Sequence, residues 1–249
     1  MAVYSIKFND STLEGVTGWT EDINSRVNES VIPRMDGSKI SGNPSLESRM
    51  INIKGVLVAS SVDDIRTKLN VLSRIINSGL KSLQLHDDRY IYAAKKSFSY
   101  EYSRDGKLVE YEIDFICPDP YYYSLEETTV TGDVTSGDNK TISVTVGGNI
   151  YTPFALYVSP SSDMTYLYVY NSNVDKYFEY EATDDDGTIY SGTVIEIDTG
   201  KNLCACSGNN VASYFSGVFF KLEGNTSNTF YVSTDADINY SILFYDRWV

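Results

Sequence analysis

Beyond residue 124 no stretch of the chain spaces its apolar residues as a helix would. Eight short runs alternate apolar and polar positions instead: "TISVTV" (141–146), "FALYV" (154–158), "TYLYVY" (165–170), "KYFEYEA" (176–182), "GTVIEID" (192–198), "GVFFKLE" (217–223), "TFYVST" (229–234) and "NYSILFY" (239–245). Period two is the spacing of a strand that buries one face and wets the other. Eight such runs in about 120 residues need two sheets packed face to face, a β-sandwich. In these runs Ile, Tyr and Phe point inward while Thr, Ser, Asn and Asp meet water. The 21 Tyr and 17 Gly of the whole 249-residue chain fit strands joined by tight turns.

The first half reads differently. Residues 60–79, "SSVDDIRTKLNVLSRIINSG", place Ile65, Leu69, Leu72, Ile75 and Ile76 on one stripe at steps of three and four, with Ser61 and Asp64 as a capping pair and Gly79 as a stop. One helix with one apolar face needs a surface to cover. The runs at 50–58, 81–87, 89–102 and 107–117 supply it, being β-branched and aromatic with strand alternation. "SRDGK" (103–107) sets an Asp-Gly turn between two of them and predicts an antiparallel hairpin. Residues 27–49 are polar, with Pro33, Pro44 and several Gly, and read as a long projecting loop or ribbon, either reaching toward a neighbouring subunit or a plain mobile loop. The expected architecture is therefore mainly β: an N-terminal α+β domain, an antiparallel sheet plus one helix, over 1–124, and a β-sandwich over 125–249.

"CPDPYYYS" (117–124) lies between the two patterns. Proline fixes its own φ and restricts the residue before it, so Pro118 and Pro120 stiffen an extended exit from the first domain. Tyr121, Tyr122 and Tyr123 then supply bulk for an interdomain seam. The charge changes at the same point. The first 124 residues hold 15 Lys and Arg against 17 Asp and Glu, net −2, and the rest hold 5 against 17, net −12. A chain with formal charge −14 repels nucleic acid and anionic membranes, so neither is an expected partner. A nearly neutral half is free to pack against its own kind and an acidic one to face water. No window holds the roughly 20 apolar residues that span a bilayer. No basic stretch leading into an apolar run opens the sequence, so synthesis in a cytoplasm is expected.

Catalytic and ligating groups are sparse. His86 is the single histidine, which excludes a polyhistidine metal site, and beside Asp87 and Asp88 it reads as part of a turn. Cys204 and Cys206 offer two thiolates where a structural zinc site needs four soft ligands, and Cys117 is 87 residues away. "DDDG" (184–187) fails as an EF-hand loop because Ala182 stands where an oxygen ligand belongs and Thr193 where the bidentate Glu belongs, and it reads as an acidic hairpin between 176–182 and 192–198. No spacing nominates a carboxylate pair for glycoside hydrolysis, and no Gly-rich phosphate loop occurs. The residues thus give no catalytic, metal or cofactor site. The sandwich tyrosines read as core or half-core residues, with a sugar-stacking face as the alternative.

Three segments in order, "PRMDGSKISG" (33–42), the striped helix before "LQLHDDRYIYAA" (83–94), and "EYEIDFICPDPYYYS" (110–124), resemble the N-terminal domain of the distal tail proteins of long non-contractile-tailed bacteriophages. The second half is similar to that family's galectin-like sandwich at "GGNIYTPFALYV" (147–158), "TGKNLCACSGNN" (199–210) and "YSILFYDRWV" (240–249). No long insertion interrupts the sandwich, so the extra carbohydrate-binding modules of some members are absent. The resemblance implies a structural virion protein at the distal end of the tail, with six copies closed into a ring through their N-terminal domains and an opening that passes DNA. Its implied partners are further copies of itself, the tail tube protein, the tail-tip hub with its lysin activity, and receptor-binding proteins. It implies no enzyme and no cofactor. The alternative expectation is a carbohydrate-binding module that recognises host cell-wall sugars.

Overall fold

The computed structural model describes residues 4–31, 38–183 and 187–249. The chain divides into two compact units, Met1–Tyr122 and Tyr123–Val249.

The first unit contains β1 (Lys7–Phe8), β2 (Ser11–Thr12), β3 (Val16–Asp22), β4 (Ser25–Val31), β5 (Ser38–Leu46), β6 (Arg49–Val58), α1 (Val62–Ile76), β7 (Lys81–His86), β8 (Arg89–Tyr102) and β9 (Leu108–Cys117). Seven of the strands form one sheet in the order β2-β1-β7-β8-β9-β6-β3, antiparallel throughout. Along β6 and β9 alternate residues are buried, Ile51, Ile53 and Leu57 on one strand and Val109, Ile113 and Phe115 on the other, so one face of the sheet builds the core.

The helix begins where the Ser61 hydroxyl accepts the Asp64 N–H. It buries Ile65, Leu69, Leu72 and Ile76, leaves Ile75 half-buried, and lies against β6. Past its end Gly79 adopts φ +84, the left-handed conformation open to glycine at a helix stop. The hairpin expected at 103–107 is present, with Tyr102 opposite Val109 and Gly106 at φ +69. β4 and β5 form their own two-stranded antiparallel ribbon, from Ser25 opposite Leu46 to Val31 opposite Ser38. Residues 33–37 of the segment "PRMDGSKISG" lie outside the described residues.

β10 (Tyr122–Ser124) spans the division. The second unit then runs β11 (Thr128–Val134), β12 (Lys140–Val146), β13 (Ala155–Pro160), β14 (Tyr166–Asn171), β15 (Lys176–Glu181), β16 (Ile195–Asp198), β17 (Leu203–Cys206), β18 (Asn209–Asn210), β19 (Phe215–Gly217), β20 (Thr226–Thr234), β21 (Ile238–Phe244) and β22 (Arg247–Trp248). β11 to β21 make a six-stranded sheet, β11-β21-β13-β16-β17-β18, and a five-stranded sheet, β12-β20-β14-β15-β19, while β22 pairs with β10. A single core, including Val144, Leu167, Phe178, Ile197 and Ile242, is contributed by strands of both sheets. The gap among its apolar side chains is about 10 Å³, too small for a ligand.

Both units use one packing device. In the first, Gly55 faces Tyr111 across β6 and β9, and the ring lies where a side chain at 55 would be: a Cβ there would sit 2.2 Å from the ring. The Tyr111 hydroxyl donates to the Glu14 carbonyl at 2.7 Å. In the second, Gly132 faces Tyr240 across β11 and β21, with a Cβ placed 2.5 Å from the phenol oxygen.

Several expectations are corrected. Residues 218–221 are not strand: Gly217 at φ +90 ends β19, and only Leu222 rejoins the structure, by a bridge to Thr152. The run at 192–198 becomes strand only at Ile195, after Gly192 at φ +80. No hairpin joins 176–182 to 192–198, because β15 belongs to the five-stranded sheet and β16 to the six-stranded one. Residues 184–186 lie outside the described residues. β1, β2, β3, β11 and β17 were not among the expected strands.

Candidate functional site

The residues singled out at the middle of the chain are held by groups on each side of the division. In the first unit the anchor is Arg49, at the start of β6 and 1% exposed. Its phase explains the burial, because Arg49 falls on the inward positions occupied further along by Ile51 and Ile53. Its Nε donates to the Pro120 carbonyl at 3.0 Å, and its Nη1 donates to Glu21 Oε2 at 2.6 Å. Its guanidinium lies 4.6 Å from the centre of the Tyr122 ring. The Tyr122 hydroxyl donates to the other Glu21 oxygen at 2.7 Å. A buried cation thus has a carboxylate, a carbonyl and an aromatic face, the compensation that a charge withdrawn from water needs.

His86 sits at the end of β7, opposite Arg89, and the turn follows at Asp87 and Asp88. Its Nε2 is 4.0 Å from Glu21 Oε1, and its ring lies 5.5 Å from Tyr122 and 6.2 Å from Trp19. Burial pushes the Tyr122 phenol well above its ordinary range, and the bond to Glu21 adds to the shift. Cys117 is buried at the end of β9, where burial pushes its thiol up to about 12, with Arg49 opposing and Glu21 adding. That thiol stays protonated at neutral pH, so it is neither a ready nucleophile nor a ready ligand.

Of the five residues expected at a seam, Pro118 is exposed, Pro120 is buried and gives its carbonyl to Arg49, and Tyr122 is 3% exposed within the first unit. The Tyr121 N–H donates to Asp119 Oδ1 at 3.3 Å. Tyr123 is half-buried in the second unit, with the Arg247 guanidinium 5.3 Å from its ring centre. Close by, the Ser124 N–H donates to the Asp246 carbonyl and the Asp246 N–H donates to Ser124 Oγ. Sequence reading found the prolines and tyrosines but missed Arg49, Glu21 and His86 as their partners. The available signal was a cation in phase with an apolar strand face.

Among the described residues no group of three or more His, Cys, Asp or Glu could hold a metal ion, and no helix is long and apolar enough to cross a membrane. Cys204 is fully buried in the sandwich core, with its thiol pushed up to about 12 by burial, while Cys206, two residues on, is half-buried.

The tyrosines of β14 depart from a core reading. Leu167 and Val169 point inward, whereas Tyr166, Tyr168 and Tyr170 are half-buried on the outer face of the five-stranded sheet. Tyr168 pairs with Tyr177 at 5.5 Å between ring centres, and Tyr170 stacks with Tyr231 at 6.0 Å. Tyr177 and Tyr231 are 44% and 42% exposed.

No family model matches the chain, and a comparison with curated proteins returns no relative. Among solved structures the chain is similar to the crystal structure of the SPP1 Dit (gp 19.1) protein, a paradigm of the hub adsorption apparatus in Gram-positive infecting phages. The two are 15% identical, with a TM-score of 0.77 over 100% of each chain. At that identity the likeness is one of fold, and the fold is that of the phage distal tail protein which the sequence motifs resemble.

Proposed function

We propose that the chain is a structural virion protein, a distal tail adaptor. Six copies close into a ring through the N-terminal half, and the ring joins the tail tube to the tail-tip and receptor-binding apparatus of a long non-contractile-tailed phage. The observation that carries this reading is the likeness in fold to SPP1 Dit, with a TM-score of 0.77 over 100% of each chain. The charge split supports it: a half with net charge −2 can meet copies of itself at six seams without accumulating repulsion, and a half with net charge −12 suits an outer, galectin-like sandwich. The reading needs no catalytic residue and no cofactor. It makes Pro118 to Tyr123 the joint between ring and sandwich, anchored by Arg49 on one side and Arg247 on the other.

Two measurements test it. Light scattering on the purified full chain, with a monomer mass of 27.9 kDa, should report a species six times heavier, alone or with tail partners. Antibody labelling of purified particles should mark the tail tip. Absence of the protein from purified particles refutes the reading.

The outer tyrosine face supports the alternative, a sugar-binding sandwich, since exposed phenol rings can stack on the apolar faces of sugars. Titration of the full chain with purified host cell-wall glycans tests it. Binding lost in Tyr177→Ala and Tyr231→Ala supports it, and no binding at millimolar sugar removes it.

A further inference from the structure

The second unit carries an open groove of about 450 Å³, apart from the tyrosine face and wholly within the sandwich. Its apolar lining comes from Tyr151, Val174 and the segment Val218, Phe219, Phe220. Tyr151 and Val218 are 57% and 47% exposed. The lining is built rather than accidental. Gly217 at φ +90 turns the chain out of β19 over the Tyr177 carbonyl, where any Cβ would clash at 2.5 Å, and the Val218 N–H donates to that carbonyl. Phe219 stacks on Phe215 with ring centres 4.3 Å apart, and Phe220 stacks on core Phe178 at 5.5 Å. Beyond the groove the chain is fixed by the Leu222–Thr152 bridge and by buried Asn228, which bonds both the N–H and the carbonyl of Glu223.

The groove is framed by Lys176 and Lys221, both exposed. This unit has only five cationic side chains. Lys140 pairs with Asp133 at 3.2 Å, Lys201 pairs with Asp198 at 2.7 Å, and Arg247 is largely buried over Tyr123. Lys176 and Lys221 have no ion-pair partner among the described residues. The two uncommitted cations of a unit with net charge −12 therefore flank its open apolar groove. A neutral sugar has no use for them, and a bare polyanion has no use for the aromatic wall. An acidic polypeptide with an apolar side chain uses both, as charge complementarity brackets an apolar anchor.

We propose that this groove docks an acidic segment of a partner protein, its apolar side chain against Val218 and Phe219 and its carboxylates on Lys176 and Lys221. The proposal does not depend on the ring.

The test uses the full chain and fluorescein-labelled short peptides that alternate Asp with Phe and Leu. Control peptides replace either the apolar residues with Ser or the Asp with Lys, and inorganic polyphosphate serves as a competitor. Anisotropy should show the acidic apolar peptide binding more tightly than both controls and weakening as salt is raised. Lys176→Glu/Lys221→Glu should weaken it by about tenfold or more, and Val218→Ser by several-fold, with both variants keeping the parent melting temperature. The proposal is overturned if the acidic apolar peptide shows no binding at millimolar concentration or no advantage over its controls. It is also overturned if the charge reversal leaves binding unchanged or if polyphosphate displaces the peptide at equal concentration. Concentration-dependent self-association abolished by the same reversal would assign the groove to a second copy and likewise overturn it.

Discussion

Replacing Arg49 by Met keeps most of the apolar stem while removing the guanidinium. Two hydrogen bonds disappear, to the Pro120 carbonyl and to Glu21, together with the cation over the Tyr122 ring. Breaking one side of a buried ion pair costs about 3–5 kcal/mol, because the partner charge is left uncompensated. Glu21 keeps 22% of its side-chain surface in water and still accepts from Tyr122, which places the loss near the lower bound, about 3 kcal/mol. For a unit of this size that is roughly a 10 °C fall in melting temperature. The two tryptophans give a clean assay, since Trp19 lies in the first unit and Trp248 in the second. In a Trp248→Phe background, urea unfolding followed by fluorescence reads the first unit alone. Glu21→Gln preserves an acceptor for Tyr122, so a double-mutant cycle with Arg49→Met isolates the pair, with an expected coupling of about 1.5–3 kcal/mol. A Trp19 midpoint shift worth under about 0.5 kcal/mol, or strict additivity of the two substitutions, would refute the arginine-centred account.

Gly55→Ala should destabilise the first unit by about 2–4 kcal/mol, because Tyr111 must leave its place and its bond to Glu14; Gly55→Ala/Tyr111→Leu should recover part of that loss in the same unfolding assay. Ser61→Ala, which removes the hydroxyl that caps α1 at the Asp64 N–H, should cost about 1 kcal/mol by thermal melting. Alkaline pH should weaken both units. Burial raises the Cys117 and Cys204 thiols from 9.0 to about 12, so above pH 9 the unfolded chain releases protons that the folded chain retains. Stability is therefore full below pH 9 and declines toward pH 12, by at most about 1.4 kcal/mol per pH unit for each thiol. Cys117→Ala should flatten that decline in the Trp19 signal, and an unchanged slope would count against the assignment.

The features legible in the sequence were those encoded by neighbours along the chain. The α1 stripe, its Ser61 cap, the Gly79 stop and the Asp-Gly hairpin each depend on residues within a turn or two of one another. The long strands β6, β8 and β9 carried enough alternation to be placed nearly to the residue. Two-residue strands such as β1 and β2 have too little length to show a period, and they exist only because β7 pairs with β1. "GVFFKLE" reads as a strand by composition, yet the backbone at Gly217 turns it into the wall of a groove, which no hydrophobic pattern signals. The residues at 118–123 were visible as a prolyl-tyrosyl cluster. Their anchors were not, since Arg49 and Glu21 lie 71 and 101 residues from the groups they hold.

Where a phenol ring occupies the volume above a strand glycine, neither position can change by itself. A relative with any larger side chain at 55 should carry something slimmer than tyrosine at 111, and the same bargain should bind 132 to 240. At 15% identity to a protein of the same fold, such obligate pairs are where drift must proceed in double steps, and they offer register marks for aligning distant chains of this fold by sequence.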